Sequence, residues 1–279
     1  MILENSIKEA KQVLKKSNII SYELDAEILL SNILGVSKEF LLLNNNINIS
    51  NEMQTKYDTA INRRIKKEPI AYIIGKKEFW SQDFLVNKAT LIPRPESELL
   101  IYKVIDFFKN KKINILDIGT GSGCILLSIL KELKYSKGIG IDVSAKAIKM
   151  ANLNAIKLNL SNRSKFKIFN INEFNLGKYD LVVSNPPYIK SRDIKNLSED
   201  ITNYEPAIAL NGGLNGLDLI KKIIYKSNIL LKTNGLFAIE IGDRQYIKVS
   251  ALLRQSGFRE MSRVFDCGDN VRCIISTKV

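Results

Sequence analysis

The sequence predicts an α/β protein in which a doubly wound parallel sheet follows a small helical bundle and a linking hairpin. Three observations lead to this fold class. Apolar residues recur at helical spacing through the first 67 residues. Strand-like and helical segments alternate from about residue 96 onward. A hydrophobic fraction of 45% in 279 residues is sufficient for one large packed domain with a smaller companion.

Residues 1–67 have the spacing of a helical bundle. A first helical face is formed by Leu3, Ile7, Ala10 and Leu14. A second apolar stripe ends near Gly35, a residue that commonly terminates helices. Ser50 is the predicted N-cap of a further helix that extends to about residue 65. No strand-like alternation interrupts this region.

Residues 68–95 have a different composition and predict a short β-hairpin or linker. Aromatic and β-branched residues dominate between Pro69 and Pro95. Trp80 is the only tryptophan of the chain. One interpretation is that Phe79 and Trp80 pack between two domains, and the other is that they line a binding cavity.

Residues 96–279 predict the α/β domain. The strand candidates are INILDI (113–118), GIGID (138–142), FKIF (166–169), DLVVS (180–184) and LFAIEI (236–241). Amphipathic helices are predicted over 144–160 and 216–232. Two further strand-like segments, 258–266 and 272–277, indicate an antiparallel hairpin at one edge of the sheet.

The composition excludes several kinds of chemistry. The chain has no histidine, so a serine–histidine or cysteine–histidine nucleophile pair is impossible. Its three cysteines lack C-x-x-C spacing, and we expect neither a disulfide framework nor a metal site. No long apolar run predicts a membrane span, and the acidic, helical N-terminus is unlike a targeting peptide, so we expect a cytoplasmic protein. The net charge of +13 is weak evidence for an RNA-bearing partner.

A glycine-rich loop follows the first strand of the α/β domain, in ILDIGTGSGC (115–124). Its glycines permit a tight turn and let a ligand approach the backbone. Asp117 precedes the loop, and Asp142 ends the next strand. A carboxylate at that strand end can accept hydrogen bonds from both ribose hydroxyls of an adenosine. The dinucleotide-binding fingerprint needs a glycine where this chain has Cys124, which argues against a nicotinamide dehydrogenase.

The glycine loop together with the acid after the second strand resembles the class I S-adenosylmethionine-dependent methyltransferases, a Rossmann-like superfamily. That resemblance implies that Asp142 holds the ribose of S-adenosylmethionine. It also implies that the loop binds the methionine part of this cofactor through Gly119, Thr120, Gly121, Ser122 and Gly123.

The strand at 180–184 ends in Asn185-Pro186-Pro187-Tyr188. Ligands of open α/β sheets bind at the carboxyl ends of the strands, so this segment and the glycine loop are expected to border one crevice. The asparagine oxygen and a backbone carbonyl can accept the two hydrogens of a planar NH2 group, because the prolines offer no competing N–H. Exocyclic amines of adenine or cytosine and the amide of glutamine all fit this description.

The whole chain resembles the release-factor glutamine methyltransferases (PrmC, also called HemK). The resemblance rests, in order, on the helical module, EPIAYIIGKKEFW (68–80), TLIPRPESE (90–98), ILDIGTGSG, VVSNPPYI and CGDNVRC (267–273). It implies methylation of the glutamine side-chain nitrogen in the Gly-Gly-Gln loop of peptide-chain release factors. It further implies a monomer that contacts its substrate transiently, with the helical module recognising the substrate.

The same resemblance assigns roles to residues. Catalysis would involve Asn185, Pro186 and Tyr188, and Asn185 would touch cofactor and substrate alike. Substrate would contact Asn185, Pro186, Pro187, Tyr188, Trp80 and Arg94, with Phe79 and Glu96 nearby. Pro95 and Glu96 are equally well explained as the first turn of a helix.

One segment departs from the family pattern, which commonly has Asp-Trp beside the adenine where this chain has Asn172-Glu173. Asn172 retains the ability to hydrogen-bond the adenine amine. Glu173 offers no aromatic face, so it is expected only to contact the cofactor. The adenine pocket is then either more open or closed by Phe174.

Two other functions are compatible with parts of the sequence. An adenine-N6 methyltransferase of DNA or RNA would share the Asn185-Pro186-Pro187-Tyr188 segment. Residues 1–67 have no recognisable DNA-binding signature, so no direct DNA binding is expected. A non-catalytic binding module on this fold would be indifferent to replacement of Asn185.

Overall fold

Strands and helices alternate along most of the chain, which a computed structural model describes from residue 2 to residue 279. The helices are α1 (Leu3–Lys16), α2 (Tyr22–Leu34), α3 (Lys38–Leu43), α4 (Asn51–Ile65), α5 (Ile70–Ile74), α6 (Glu96–Phe108), α7 (Cys124–Glu132), α8 (Ala145–Lys157), α9 (Glu199–Tyr204), α10 (Asp218–Leu230) and α11 (Tyr246–Gln255). Short 3₁₀ turns cover Ser191–Asn196 and Ala207–Ala209.

The strands form a hairpin and a large mixed sheet. They are β1 (Lys76–Phe79), β2 (Gln82–Leu85), β3 (Asn114–Ile118), β4 (Lys137–Asp142), β5 (Ser164–Ile168), β6 (Tyr179–Ser184), β7 (Leu231–Glu240), β8 (Phe258–Phe265) and β9 (Val271–Lys278). Within residues 2–279, the order in the seven-stranded sheet is β5-β4-β3-β6-β7-β9-β8. Strands β3 to β7 are parallel, whereas β9 is antiparallel to both β7 and β8. The predicted α/β fold and its closing hairpin are confirmed.

The N-terminal helices form a compact unit with its own core. The buried face of α1 carries Leu3, Ala10 and Leu14, as the spacing predicts. The Ser50 hydroxyl accepts the Met53 N–H at 3.2 Å, and Gly35 ends α2 in the left-handed conformation, so both predicted caps are confirmed. The buried Tyr57 donates its hydroxyl to the Ala26 carbonyl at 3.0 Å, which joins α4 to α2.

This helical unit is larger than the predicted residues 1–67. It extends through Lys76 and also includes Ser198–Tyr204. Helix α5 belongs to this unit because the Arg63 guanidinium on α4 donates hydrogen bonds to the Tyr72 and Ile73 carbonyls, at 3.2 and 3.3 Å. The segment 198–204 is attached through the Tyr204 hydroxyl, which donates to the Lys66 carbonyl at 2.7 Å. Sequence periodicity could not reveal a short helix contributed from so far along the chain.

The predicted hairpin is present but shorter, over β1 and β2. Its turn consists of Trp80 and Ser81, both with positive φ (51° and 53°). Such a two-residue turn usually contains glycine or asparagine, so its position could not be predicted from Trp80 and Ser81. The Trp80 N–H donates to Glu98 at 2.8 Å and its indole N–H donates to Glu132 at 2.9 Å. These two carboxylates hold the turn against α6 and α7.

The large sheet has an apolar core on each face. Alternation along β6 and β7 sends Val183 and Ala238 into one core and Val182 and Phe237 into the other. Helices α6 and α7 cover the first face, and α10 and α11 cover the second. Asn185 and Glu240, which follow Val183 and Ala238 by two positions, therefore lie on the face covered by α6.

Asn154 of α8 links the hairpin to the glycine loop. Its fully buried side chain accepts the Leu85 N–H at 2.7 Å and donates to the Leu85 carbonyl at 3.0 Å. The second amide hydrogen is donated to the Ser122 carbonyl at 2.9 Å. One amide thus satisfies three backbone groups from two separate segments.

Between residues 2 and 279, none of the helices has the length and hydropathy that a membrane crossing requires.

We predict that Asn154→Ala lowers the free energy of unfolding by about 2–3 kcal/mol, because three hydrogen bonds are lost and their backbone partners stay partly buried. Urea denaturation followed by the fluorescence of the single tryptophan, Trp80, measures this in the unit that contains the hairpin. Asn152→Ala is the matched control, since Asn152 lies on the same helix but is exposed. Its effect should stay within about 0.5 kcal/mol. If Asn154→Ala and Asn152→Ala lowered the free energy of unfolding equally, this would contradict the role of Asn154 in joining the hairpin to the glycine loop.

Candidate active site

The carboxyl ends of four adjacent strands border one cavity. Pairing of Ile118 with Ile141 and with Ser184 aligns the ends of β3, β4 and β6, and pairing of Ser184 with Ile239 adds β7. The cavity that opens there has a volume of about 350 Å³. The predicted site residues that line it are Gly119, Thr120, Gly121, Ser122, Asp142, Asn172, Asn185, Pro186, Pro187 and Arg94.

The glycine loop after β3 forms the floor of the cavity. Gly119 and Gly121 have φ values of 73° and 55°, and a Cβ built on either would meet no atom within 4 Å. Their backbone is therefore exposed to whatever occupies the cavity. Gly123, also predicted to bind the cofactor, does not line the cavity. A Cβ there would lie 3.1 Å from Phe166 and 3.2 Å from Ala151, so Gly123 allows α7 to pack closely.

Asp142 at the end of β4 spans the loop and the next helix. One carboxylate oxygen accepts the Gly121 N–H at 3.0 Å, and the other accepts the Ser144 N–H at 2.9 Å. These bonds fix the carboxylate at the cavity wall, where its remaining lone pairs can accept hydroxyl hydrogens. Ser144 also caps α8 by accepting the Ala147 N–H at 3.2 Å.

Two buried polar atoms near the glycine loop lack a hydrogen-bond partner within residues 2–279: Oδ1 of Asp117 and Oγ of Ser122. The other carboxylate oxygen of Asp117 accepts the Thr120 hydroxyl at 2.6 Å. Burial raises the pKa of Asp117 to about 7, against the lowering effect of that hydroxyl. Thr120 lines the cavity, so Asp117 is linked to the cavity wall through one hydrogen bond.

The segment after β5 forms the side of the cavity where an adenine would lie. Its lining residues are Phe169, Asn170, Ile171 and Asn172. Glu173, predicted to contact the cofactor, is exposed and lies outside the lining. Phe174 does not close the pocket, because its side chain is fully buried in the core beneath. Phe169, whose ring meets Phe174 edge-on at 5.3 Å between centroids, supplies the aromatic surface instead.

Asn185 follows β6 on the sheet face that points toward α6. Its amide nitrogen donates to the Ser97 hydroxyl at 3.0 Å. Pro186 and Pro187 also line the cavity, and neither has an N–H. The two prolines thus present carbonyl acceptors without backbone donors of their own.

Tyr188 occupies a different position from the predicted one. Its ring packs beside Gly242, where a Cβ would lie 2.8 Å from the tyrosine Cδ2. Its hydroxyl donates to Glu240 at 3.4 Å, behind Asn185, and the residue does not line the cavity. In this arrangement Tyr188 supports Glu240 beside Asn185, and its contact with substrate stays a prediction.

Arg94 lines the cavity and is held by a buried acid. Its guanidinium pairs with the Glu205 carboxylate, whose side chain is almost inaccessible. Glu205 also accepts the Ile92 N–H at 3.1 Å, which fixes the segment before α6.

Three other predicted residues lie outside the lining. Trp80 is directed toward Glu98 and Glu132 on α6 and α7, so it has no contact with the cavity. Phe79 is buried in the core on the α6 face. Glu96 begins α6, which agrees with the helix-start interpretation of Pro95 and Glu96.

Sequence reasoning missed Ser97 and Glu240, which support Asn185 from behind, and Glu205, which holds Arg94. Each meets its partner only through the fold, so spacing offers no signal for them. Cys124 also lines the cavity, but burial raises its pKa to about 12, so it is a neutral thiol and no nucleophile. Over the part of the chain that the structure describes, no cluster of acidic or cysteine side chains forms a metal site.

Comparisons with known proteins agree with this geometry. Residues 5–75 match the family described as PrmC N-terminal domain, and residues 109–263 match one described as methyltransferase domain. The release factor glutamine methyltransferase of Clostridium acetobutylicum is 40% identical over 262 residues, covering 92% of both chains. That of Clostridium botulinum is 38% identical over 282 residues, covering 100% of both.

Solved structures show the same fold at lower identity. A methyltransferase from Pyrococcus furiosus has a TM-score of 0.54 at 18% identity, covering 82% of this chain and 99% of that one. The hMettl16 catalytic domain, solved in complex with a 3′UTR hairpin, has a TM-score of 0.59 at 18% identity, with 84% of each chain covered.

The N-terminal match, the methyltransferase domain and the full-length relatives together confirm the resemblance seen in the sequence. This chain belongs to the release factor glutamine methyltransferase family.

Proposed function

We propose that this protein methylates the side-chain amide nitrogen of the glutamine in the Gly-Gly-Gln loop of peptide-chain release factors. The methyl donor is S-adenosylmethionine, as expected for the methyltransferase domain. The observation that carries the proposal is Asn185, which lies at the cavity wall with its amide nitrogen already engaged by Ser97. Its oxygen is thereby left to accept a hydrogen from a planar NH2 group.

The residues of the cavity divide the work between two ligands. Gly119, Gly121 and Asp142 would hold the methyl donor, which supplies an electrophilic carbon on a positively charged sulfur. Asn185 and a carbonyl of the adjoining proline segment would hold the substrate amide and fix its plane. Arg94, which lines the cavity and pairs with Glu205, would contact the substrate.

The reaction needs orientation more than a strong base. An amide nitrogen is a poor nucleophile because its lone pair is delocalised, and accepting both of its hydrogens encourages charge to build on it. Transfer forms a bond from nitrogen to the methyl carbon and breaks the bond from that carbon to sulfur, which keeps the electron pair. One proton leaves the nitrogen late, so the absence of histidine is no obstacle.

The remaining parts of the proposal concern context. We infer a cytoplasmic monomer that meets release factors transiently, with the helical unit up to Lys76 contributing to substrate recognition. The match of residues 5–75 to the PrmC N-terminal domain supports this division of labour.

The substrate is tested by labelled-methyl transfer to a purified release factor. We expect one methyl group per release factor with the Gly-Gly-Gln loop intact and none after its glutamine is changed to alanine, since only that side chain supplies the NH2 group. DNA and RNA oligonucleotides rich in adenine serve as parallel substrates and should stay unlabelled. Label that persists in the altered release factor, or that enters the oligonucleotides, refutes the proposed substrate.

Replacing Asn185 tests the amide clamp. Asn185→Ala should lower kcat by about 100-fold or more, because the acceptor that orients the nucleophile is removed. Affinity for S-adenosylhomocysteine, measured by calorimetry, should change by no more than about threefold if most of the cofactor contacts lie on the glycine loop and Asp142. If the variant turns over as fast as an active wild type, the clamp is ruled out. If neither protein transfers a methyl group, a non-catalytic binding module is favoured instead.

Asp142→Asn tests the ribose contact. The amide keeps the shape but loses the charge and one acceptor, so S-adenosylhomocysteine should bind about 10-fold more weakly. Asp180→Asn is the matched control, because Asp180 also accepts a backbone N–H, from Asn114 at 2.8 Å, but near the start of β6 and away from the cavity. If the two variants bound S-adenosylhomocysteine with equal affinity, Asp142 would not be a cofactor contact.

A further inference from the structure

We propose that Ser97 and Glu240 are positioning residues that set the direction of the Asn185 amide, so that its oxygen faces the substrate. This inference rests on the proposed function, since it explains how the acceptor of the substrate NH2 group is kept in the right orientation. Ser97 belongs to the segment TLIPRPESE (90–98), but no motif in the sequence pairs it with Asn185 or Glu240.

The three side chains form a continuous hydrogen-bonded chain. Asn185 Nδ2 lies 3.0 Å from Ser97 Oγ, and Ser97 Oγ lies 2.5 Å from Glu240 Oε2. The register of the sheet explains this proximity, because pairing of Ser184 with Ile239 makes Asn185 and Glu240 neighbours on adjacent strands. Both follow residues that face α6, and Ser97 is the second residue of that helix.

The direction of each bond follows from which groups can donate. An ionised carboxylate only accepts, so the Ser97 hydroxyl must donate its single hydrogen to Glu240. Ser97 can then only accept from Asn185, which turns the NH2 end of the amide toward Ser97. The oxygen of Asn185 is consequently left for the cavity. An asparagine without this chain could rotate by 180° and present two donors to a substrate that itself needs acceptors.

Glu240 is well suited to control this direction because it is isolated from water. It is 2% exposed, and its second oxygen is occupied by the Tyr188 hydroxyl. Burial raises its pKa to about 7, while the hydrogen bonds from Ser97 and Tyr188 oppose the rise. The other titratable groups that influence it are Glu96 on α6, Arg272 and Cys273 on β9, and Cys124 on α7.

Protonation of Glu240 would remove the constraint. A neutral carboxyl can donate to Ser97, whose hydroxyl is then free to donate to the oxygen of Asn185. The amide would turn, and the cavity would face two N–H groups where it needs an acceptor. Activity should therefore rise with pH as Glu240 ionises.

The first experiment compares the wild type with Glu240→Gln, which keeps the size of the side chain but not its obligatory acceptor character. With a release factor as substrate, kcat should fall about 10-fold or more, whereas KM and affinity for S-adenosylhomocysteine should change little. The ratio of wild-type to variant kcat/KM should rise with pH through about 7. Taking this ratio cancels the titration of Asp117, whose pKa also lies at about 7.

A double-mutant cycle separates positioning from general stabilisation. Breaking either link disconnects Asn185, so Ser97→Ala, Glu240→Gln and the double variant should lose kcat to the same extent. Independent structural roles would instead multiply the two losses. Ser227→Ala is the matched control for the serine, because Ser227 is equally buried on α10 but lies outside the cavity and has no side-chain hydrogen-bond partner among residues 2–279. It should retain wild-type kcat.

An NMR titration tests the chain without any substrate. The side-chain NH2 resonances of Asn185, assigned by their loss in Asn185→Ala, should shift with a midpoint near pH 7 in the wild type. They should not shift in this range in Glu240→Gln. If no methyl transfer is seen but this titration is, the proposed function fails and the positioning chain stands. If transfer is seen and a folded Glu240→Gln keeps its kcat, its pH profile and the titration, the positioning chain is refuted.

Discussion

Parallel pairing of four strands is the constraint on which the rest of this structure depends. The register of β3, β4, β6 and β7 places a glycine loop, an acid, an asparagine and a buried glutamate at one edge. Each of these residues directly follows or ends a strand, so a shift of two residues in one pairing would displace it by nearly 7 Å. The cores on the two faces fix that register, because a one-residue slip would expose apolar side chains. Chemistry at the edge is thus specified by packing beneath it.

Strand and helix periodicity were sufficient to predict the α/β fold, since β3, β6 and the second half of β7 are short apolar runs and the helices between them are amphipathic. The glycine loop, Asp142 and Asn185 were also found, because their meaning depends on position relative to a strand. The contacts that were missed all join distant segments. Ser97 is separated from Asn185 by 88 residues and from Glu240 by 143, and nothing in local sequence pairs them.

The predictions that differ from the structure share a physical cause. Gly123, Glu173 and Tyr188 each lie next to a residue that does line the cavity, whereas Trp80 lies in the hairpin turn, whose residues do not. Neighbours along a strand or loop point in different directions, and an extended segment alternates its side chains between faces. Phe174 is buried for this reason, while Phe169 is presented at the wall. A motif therefore predicts which segment of the chain borders the site, but only the fold determines which residues of that segment line the cavity.

The absence of histidine has a consequence for how protons move in this protein. Near neutral pH a protein normally exchanges protons through its imidazoles, which titrate whether or not they are near a site. Here the carboxyls of Asp117 and Glu240, with pKa values of about 7, are side chains that can do so. Each is hydrogen-bonded to a residue that lines the cavity, Asp117 to Thr120 and Glu240 to Ser97. A proton taken up or released when a ligand binds at pH 7 is consequently a local signal. Calorimetry in buffers of different ionisation enthalpy would count such protons at this site with no imidazole background.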